Sequence, residues 1–418
     1  MSNNIILTPS VFVKGVLMNL EGYLSVAQNM SHQYSKEFGK SPKPGDTVSV
    51  RKPQRFTPTT GLLYQPQPLS NTKTNITLGD VTGVHWQWDS VEETLAIEEA
   101  QERYWKPAAI ALSSVINANA AQYCAQNTFN AVGTPGATPS TDAVYLAAGD
   151  KIVQLGLPNE EELYCIINRK FSSSFVIGQS TFFNPAGQIS TMLKRGRAPD
   201  ETLGYTWKRD QTIYTQTVGP QGGTPLVDGT AVYGAITADG GNNASMVLGT
   251  RGWTASANLR LNLGDRFTLA NVYSVHPQTK ASTGDLQQFV VNVAFSSLAG
   301  GQGGITISPA ITPTGQYQNV TAAPIDGAAI TVFGAPGTAS PQGLLMHRDA
   351  FAFVSVPLAT PKSGEGVVYS AQHTDPKTGI CLAMVQFFDG FNRVLGTRLD
   401  CLTGFGKLYP EMASVIAG

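Results

Sequence analysis

Near the N-terminus the apolar residues Phe12, Val13, Val16, Leu17, Leu20, Leu24 and Ala27 recur every three or four positions, the spacing of one helix face. With Thr8 as a candidate cap, this predicts a helical arm from Pro9 to about Gln33. Past Lys43 the period changes to two. Asp46 to Arg51 and Val81 to Trp88 alternate polar and apolar residues as half-exposed strands do, and Pro53, Pro58, Pro66 and Pro68 between them exclude a central strand. Helical spacing returns in Val91, Leu95, Ala96, Ala100 and Tyr104, then in the alanine-rich run from Ala108 to Ala125, where Ala111, Ala118 and Ala121 permit close packing. Pro107 either opens a second helix or kinks one long one.

Further on, Thr141 to Gly156 reads as helix, Leu163 to Asn168 as a buried strand and Phe182 to Arg197 as another helix. From about Gly219 to Pro336 the chain is dense in Gly, Thr, Asn and Val. Short apolar runs at Leu226–Tyr233, Ser245–Leu248, Phe267–Val275, Phe289–Phe295 and Ile305–Ile307 are separated by turn residues, as in a small β-barrel or sandwich. The closing runs Phe351–Val356, Val367–Tyr369, Cys381–Phe388 and Val394–Leu402 read as strands, with the chain expected to end near the surface at Gly418. Host elements on both sides of the Gly219–Pro336 segment predict a β-domain inserted into a discontinuous α+β host.

The stretch between the first two strands has no core of its own. At about 3.3 Å per residue a hairpin made from it reaches roughly 70 Å, against a radius of gyration of about 22 Å for a compact chain of this length. Such an arm either leaves its own subunit to grip a neighbour or folds back on it. Its charges are segregated. Lys40, Lys43, Arg51, Lys52, Arg55 and Lys73 face one acid, Asp46, before Gly79; Asp80, Asp89, Glu92, Glu93, Glu98, Glu99 and Glu102 then follow with no lysine or arginine. A basic arm beside an acidic helix start is self-complementary between copies, and such pairing steers and registers association. Arg51, Lys52 and Arg55 are therefore candidate contacts, with Glu92, Glu93, Glu98 and Glu99 as acceptors on a neighbour. The alternative is that the acids merely answer the helix dipole. Exposed charges of this kind add little to subunit stability, so reversing Arg55 is expected to impair association without unfolding the chain.

Composition narrows the class. Charged residues make up only 14% of the chain, against about 25% in ordinary globular proteins, as in proteins that bury much of their exterior against other subunits and also in secreted β-rich proteins. A net charge of -1 provides no general attraction to nucleic acid or anionic membranes. The first residues lack a basic and then apolar leader, and no apolar run approaches the roughly eighteen residues needed to span a bilayer. Cys124, Cys165, Cys381 and Cys401 are widely spaced and read as buried free thiols.

Recognisable chemistry is missing: there is no GxxxxGK[ST] loop, GxSxG elbow, HExxH or paired Cys-x-x-Cys. The histidines His32, His85, His276, His347 and His373 lack metal-ligand spacing. Gly300, Gly301, Gly303 and Gly304 lack the pattern of a dinucleotide loop and read as a flexible linker. No catalytic residue, metal site or cofactor is expected.

Leu344–Leu358, LLMHRDAFAFVSVPL, with the closing run GTRLDCLTGFGKLYPEMASVIAG from Gly396, resembles the major capsid proteins of P22-like tailed bacteriophages. So do Gly45–Phe56, GDTVSVRKPQRF, and Leu263–Val291, LGDRFTLANVYSVHPQTKASTGDLQQFVV. The resemblance implies an α+β fold of the HK97-type capsid class, and on that plan the expected division is an N-arm over 1–43, an extended E-loop over 44–88, a peripheral domain with a spine helix over 89–135, an axial domain over 136–218, an inserted β-domain over 219–336, the axial domain again over 337–380 and the peripheral domain again over 381–418. It further implies a chain that assembles with itself, as hexamers and pentamers, into an icosahedral shell around double-stranded DNA held without sequence-specific contacts. A separate scaffolding protein and a portal protein are the expected partners, with a decoration protein as a further candidate and no membrane. The virion is the expected location, after assembly in the host bacterial cytoplasm. The isopeptide chemistry of some HK97-fold relatives is not carried over, because Lys73 has no partner motif. The rival reading is a secreted or surface β-rich adhesin with carbohydrate-binding loops, against which the missing secretion signal counts.

Overall fold

The computed structural model describes residues 13–17, 24–38, 43–56, 61–62, 64, 66–67, 69, 72–89, 106–157, 161–179, 196, 201–229, 241–359, 361, 367–375, 379–392 and 394–418. The expected helices at Val91–Tyr104 and, apart from Gly196, Phe182–Arg197 lie outside them. In chain order the strands are β1 (Thr47–Arg51), β2 (Lys73–Asp89), β3 (Ala131–Gly133), β4 (Leu163–Ile167), β5 (Glu201–Thr202), β6 (Tyr205–Arg209), β7 (Thr215–Thr217), β8 (Gly223–Val227), β9 (Met246–Trp253), β10 (Leu259–Leu261), β11 (Arg266–Val275), β12 (Ser282–Val291), β13 (Phe295–Ser296), β14 (Gly303–Ser308), β15 (Ile330–Val332), β16 (Ala339–His347), β17 (Phe351–Val356), β18 (Tyr369–Thr374), β19 (Cys381–Asp389), β20 (Val394–Lys407) and β21 (Ala413–Ala417). Among the described residues three long helices accompany them: the spine helix Lys106–Asn127, Asp142–Gln154 and Arg169–Gln179. None is long and apolar enough to cross a membrane.

The chain divides into two compact units. The first takes residues 1–48, 76–120 and 352–406. Its sheet runs β1-β2-β20-β19-β18, with β17 joined to β20. Alternation decides the two faces: Leu382, Met384, Leu399 and Cys401 are buried on one, while His85, Gln87, Phe387 and Arg398 are exposed on the other. The spine helix begins here. Its buried positions are the doublets Ala108/Ala109, Leu112/Ser113, Ile116/Asn117, Ala120/Ala121 and Cys124/Ala125. A four-residue repeat on a helix of 3.6 residues per turn drifts about 40° each time, so this stripe winds around the helix instead of running straight along it. Ala111 is exposed and Ala118 half-buried, so of the three small residues singled out from sequence only Ala121 lies in the stripe.

The N-arm departs from its predicted helix. Residues 13–17 are helical, but Ala27–Asn29 is a short 3-10 turn and Gln33–Glu37 a second one. Tertiary bonds override the helical period: the Asn117 Oδ1 accepts the backbone N–H groups of Val26 at 2.8 Å and Ala27 at 3.3 Å. Ser31 then bridges Ala352, its carbonyl accepting the Phe353 N–H at 2.9 Å.

The second unit takes residues 49–75, 121–351 and 407–418. One sheet runs β3-β21-β16-β4-β6-β5, with β7 on β16. Tyr145 and Phe175, from the two flanking helices, meet Trp207 of β6 at ring separations of 5.0 to 5.2 Å and form the centre of this core. The helix Arg169–Gln179 escapes the sequence pattern because three consecutive serines weaken its propensity; Asn168 compensates by accepting the Phe171 N–H at 2.8 Å. β21 was also missed. It is buried throughout, antiparallel to β16 and parallel to β3, and Gly418 is buried with it, which overturns the expected surface ending. A side chain at Gly418 would strike the Phe171 ring at 2.4 Å.

Within the same unit, a six-stranded sheet β15-β11-β12-β14-β9-β8 and the pair β10-β13 enclose a hydrophobic cluster drawn wholly from residues 227–332, including Phe267, Leu269, Phe289, Val291, Ile305 and Ile307. The strand expected at Phe289–Phe295 begins earlier, at Ser282, and ends at Val291. The glycine run is not a linker. Gly301 takes a left-handed φ of 73° at the turn before β14, and Gly303 and Gly304 pair with Thr250 and Gly249. A side chain at Gly303 would meet the Phe295 ring at 2.6 Å.

Candidate assembly surface

β1 and β2 form a ribbon. The Lys52 N–H donates to the Thr72 carbonyl, the Leu78 N–H to the Asp46 carbonyl, both at 2.9 Å, and the Ser49 hydroxyl to the Asn75 side chain at 2.7 Å. These bonds share one antiparallel register. β2 extends beyond the predicted Val81–Trp88, because the alternation already begins at Lys73: Thr74, Ile76 and Leu78 are buried while Lys73, Asn75 and Thr77 are exposed. At about 3.3 Å per residue this strand spans roughly 55 Å, and all but its first four residues run alongside β20, from Thr77 to Asp89.

The ribbon's buried face is fastened to the closing segment of the same unit. The Thr74 hydroxyl donates to the Lys407 carbonyl at 2.9 Å, and the Asn243 amide donates to the carbonyls of Lys407 at 2.8 Å and Leu408 at 3.1 Å. The Lys52 ammonium donates to the Leu408 carbonyl and sits 4.9 Å from the centre of the Tyr409 ring, a cation–π contact. Arg55 pairs with Glu411 at 2.9 Å, and the Glu411 side chain is only 5% exposed. This corrects the expectation that reversing Arg55 leaves subunit stability untouched, because the change would set two acids together at a buried site.

On the outer face the same register sets Arg51 opposite Lys73, at a non-hydrogen-bonded position where side chains approach closely. Like charges across such a pair repel. Among the described residues neither has an ion-pair partner. Of the candidate contacts, then, Lys52 and Arg55 are engaged within the chain and Arg51 is open. Glu92, Glu93, Glu98 and Glu99 lie outside the described residues.

A second polar constellation joins the 227–332 sheet to the rest of its unit. Arg266, fully buried, donates to the carbonyls of Thr128 at 2.8 Å and Ala125 at 2.5 Å and to the Gln342 side chain at 3.1 Å. The two carbonyls belong to the end of the spine helix, where the dipole favours a cation. Burial pulls the Arg266 guanidinium down to about 10. Asp265 beside it accepts the N–H groups of Gly219 and Asn262 and the Gln216 amide, all at 2.8 Å; burial nonetheless holds its carboxyl above the usual range. Gln288 closes the seam by exchanging two bonds with the Ala131 backbone, at 2.7 and 3.0 Å. Sequence reasoning passed over Arg266, Gln288 and Asn117. Their one signal is a polar residue at the buried phase of an otherwise apolar period.

The four cysteines are free and buried, as expected. No group of three or more metal-ligating side chains occurs among the described residues.

A family model described as the P22 coat protein, gene protein 5, matches residues 1–417. The chain belongs to the P22 coat protein family. It is thus a major capsid protein of a tailed bacteriophage, a virion structural protein that self-assembles into a shell, and its fold is α+β. Solved structures similar to this coat protein include a chain of Mycobacterium phage Che8, with 10% identity, a TM-score of 0.44, and coverage of 94% of this chain and 90% of that one. A chain of the capsid of cyanophage P-SCSP1u has 11% identity and a TM-score of 0.45, covering 93% of this chain and 86% of that one. One from the mature capsid of bacteriophage PhiM1 has 9% identity and a TM-score of 0.42, with 94% and 86% covered. No curated protein matches the chain.

Proposed function

We propose that this coat protein forms an icosahedral shell of hexamers and pentamers around double-stranded DNA, and that the β1–β2 ribbon is its handle between copies. The observation that carries the second part is the Arg51–Lys73 pair, two cations held side by side on an exposed face with no acid partner among the described residues. Repulsion of this kind is relieved when an acidic surface docks. The acid-rich run of a neighbouring copy, with Glu92, Glu93, Glu98 and Glu99, supplies that chemistry. Lys52 and Arg55 then set the ribbon's direction by anchoring its base to Leu408 and Glu411. Individually modest contacts of this type become stable through multivalency in a closed lattice.

On this account 1–43 is the N-arm, 44–88 the E-loop, 219–336 the inserted β-domain, and the flanking segments alternate between peripheral and axial domains at 89–135, 136–218, 337–380 and 381–418. A separate scaffolding protein guides assembly in the host bacterial cytoplasm, a portal protein occupies one vertex, and a decoration protein can bind the finished shell. DNA is held without sequence-specific contacts, consistent with a net charge of -1. The test is charge reversal at Arg51 and Lys73 together. Assembly of the double variant should fail at concentrations where the wild type forms shells, while thermal unfolding of the subunit stays nearly the same, because one exposed like-charge pair replaces another. Wild-type assembly by the double variant would refute the ribbon's role.

A further inference from the structure

The end of the β19–β20 hairpin carries three aromatics left exposed by the described residues. Phe387 is 43% exposed, Phe388 51% and Phe391 99%. One exposed apolar side chain is ordinary, but three aromatics within five residues on one hairpin mark a contact surface. The turn is also held in shape: the Asp389 carboxylate accepts the Phe391 N–H at 2.9 Å and the Asn392 amide at 2.7 Å, and those bonds hold its carboxyl below the usual range. Phe391 is therefore presented outward on a fixed turn.

Beside the hairpin, on the exposed face of the first unit's sheet, lies a groove of about 490 Å³. Gln87, Phe387, Gly396, Thr397 and Arg398 line it; Phe391 does not. Its floor is low because Phe387 lies across Gly396, where any side chain would strike the ring at 2.4 Å. One wall is the guanidinium of Arg398, fixed by Asp400 through bonds of 2.5 and 3.1 Å. A groove with an aromatic floor and a planar cation for a wall suits an incoming phenyl ring.

We propose that Phe391 of one copy seats in this groove of a second copy, so that the hairpin end is a copy-to-copy contact of the shell. Asp389 and Asn392, on either side of Phe391, also line the groove, so knob and groove share one hairpin end and two copies can seat their rings reciprocally about a twofold axis. The partner is a second copy because both halves of the fit are present in this chain and the family builds a shell from many copies. This contact uses Gln87 of β2 but neither Arg51 nor Lys73.

Variants of the full chain test it. Phe391→Ala should raise the concentration needed for half-assembly about tenfold or more, as loss of a buried aromatic anchor does, with subunit melting unchanged because the ring is solvent-exposed in the free chain. Phe391→Tyr should restore assembly. In assembled shells, the pair Phe391→Cys and Gln87→Cys should give disulfide-linked oligomers on a non-reducing gel, whereas each single variant should not. Wild-type assembly by Phe391→Ala, or shells of the double-cysteine variant that run as monomer after oxidation, would overturn the proposal.

Discussion

Arg266→Met removes a buried cation and keeps most of its volume. Three acceptors lose their donor: the carbonyls of Ala125 and Thr128 and the side chain of Gln342. Leaving a buried acceptor unsatisfied costs about 1 to 3 kcal/mol, and Asp265 loses a neighbouring positive charge. Against this, the desolvation cost of Arg266 itself disappears, which for buried ionic groups offsets a large part of the loss. The net is a destabilisation of about 3 kcal/mol, or roughly 6 °C in the unfolding midpoint at about 2 °C per kcal/mol. Differential scanning fluorimetry of the purified subunit reads this directly. Location supplies a second arm: all three acceptors lie outside residues 219–336, so a 219–336 fragment carrying the same change should melt within about 1 kcal/mol of the unmodified fragment. A full-length Arg266→Met chain as stable as wild type would refute the reasoning, as would a fragment that loses as much as the whole chain.

Residues 219–336 expressed alone should fold, because the 227–332 cluster is complete within them; a dispersed amide NMR spectrum with a cooperative melt is expected, and a collapsed one would reject an independent domain. Arg55→Glu should lower subunit stability by about 1 to 3 kcal/mol by facing the buried Glu411 with a like charge, measurable by urea unfolding; an unchanged midpoint would mean that the pair is dispensable. The thiols of Cys124, Cys165, Cys381 and Cys401 should resist a thiol reagent in the native subunit and all react after unfolding, since each is buried and burial pushes the Cys401 thiol up to about 12. Fast labelling of any of them in the folded chain would contradict this placement.

Phe351–Val356, Arg266–Val275 and Cys381–Asp389 were legible from the chain alone because they are runs rich in aromatic and branched apolar residues, even though Phe351–Val356 is buried on both faces. So was the spine helix, through its alanines. The N-arm misled because its apolar spacing is helical while its backbone bonds go to Asn117, a partner some ninety residues away. β21 was hidden because a short strand buried on both faces shows no alternation. The ribbon's charges were visible, but not their division: only the antiparallel register separates Lys52, turned toward Leu408, from Arg51 beside Lys73. Arg266 looked like an ordinary strand charge until its three carbonyl and amide acceptors were seen.

The most direct test is negative-stain microscopy and sedimentation of the full chain expressed with the scaffolding protein proposed as its partner. Closed shells of uniform diameter are predicted, with monomers or aberrant particles when the chain is expressed alone. A stable small monomer under every assembly condition, with the scaffold present, would contradict the account.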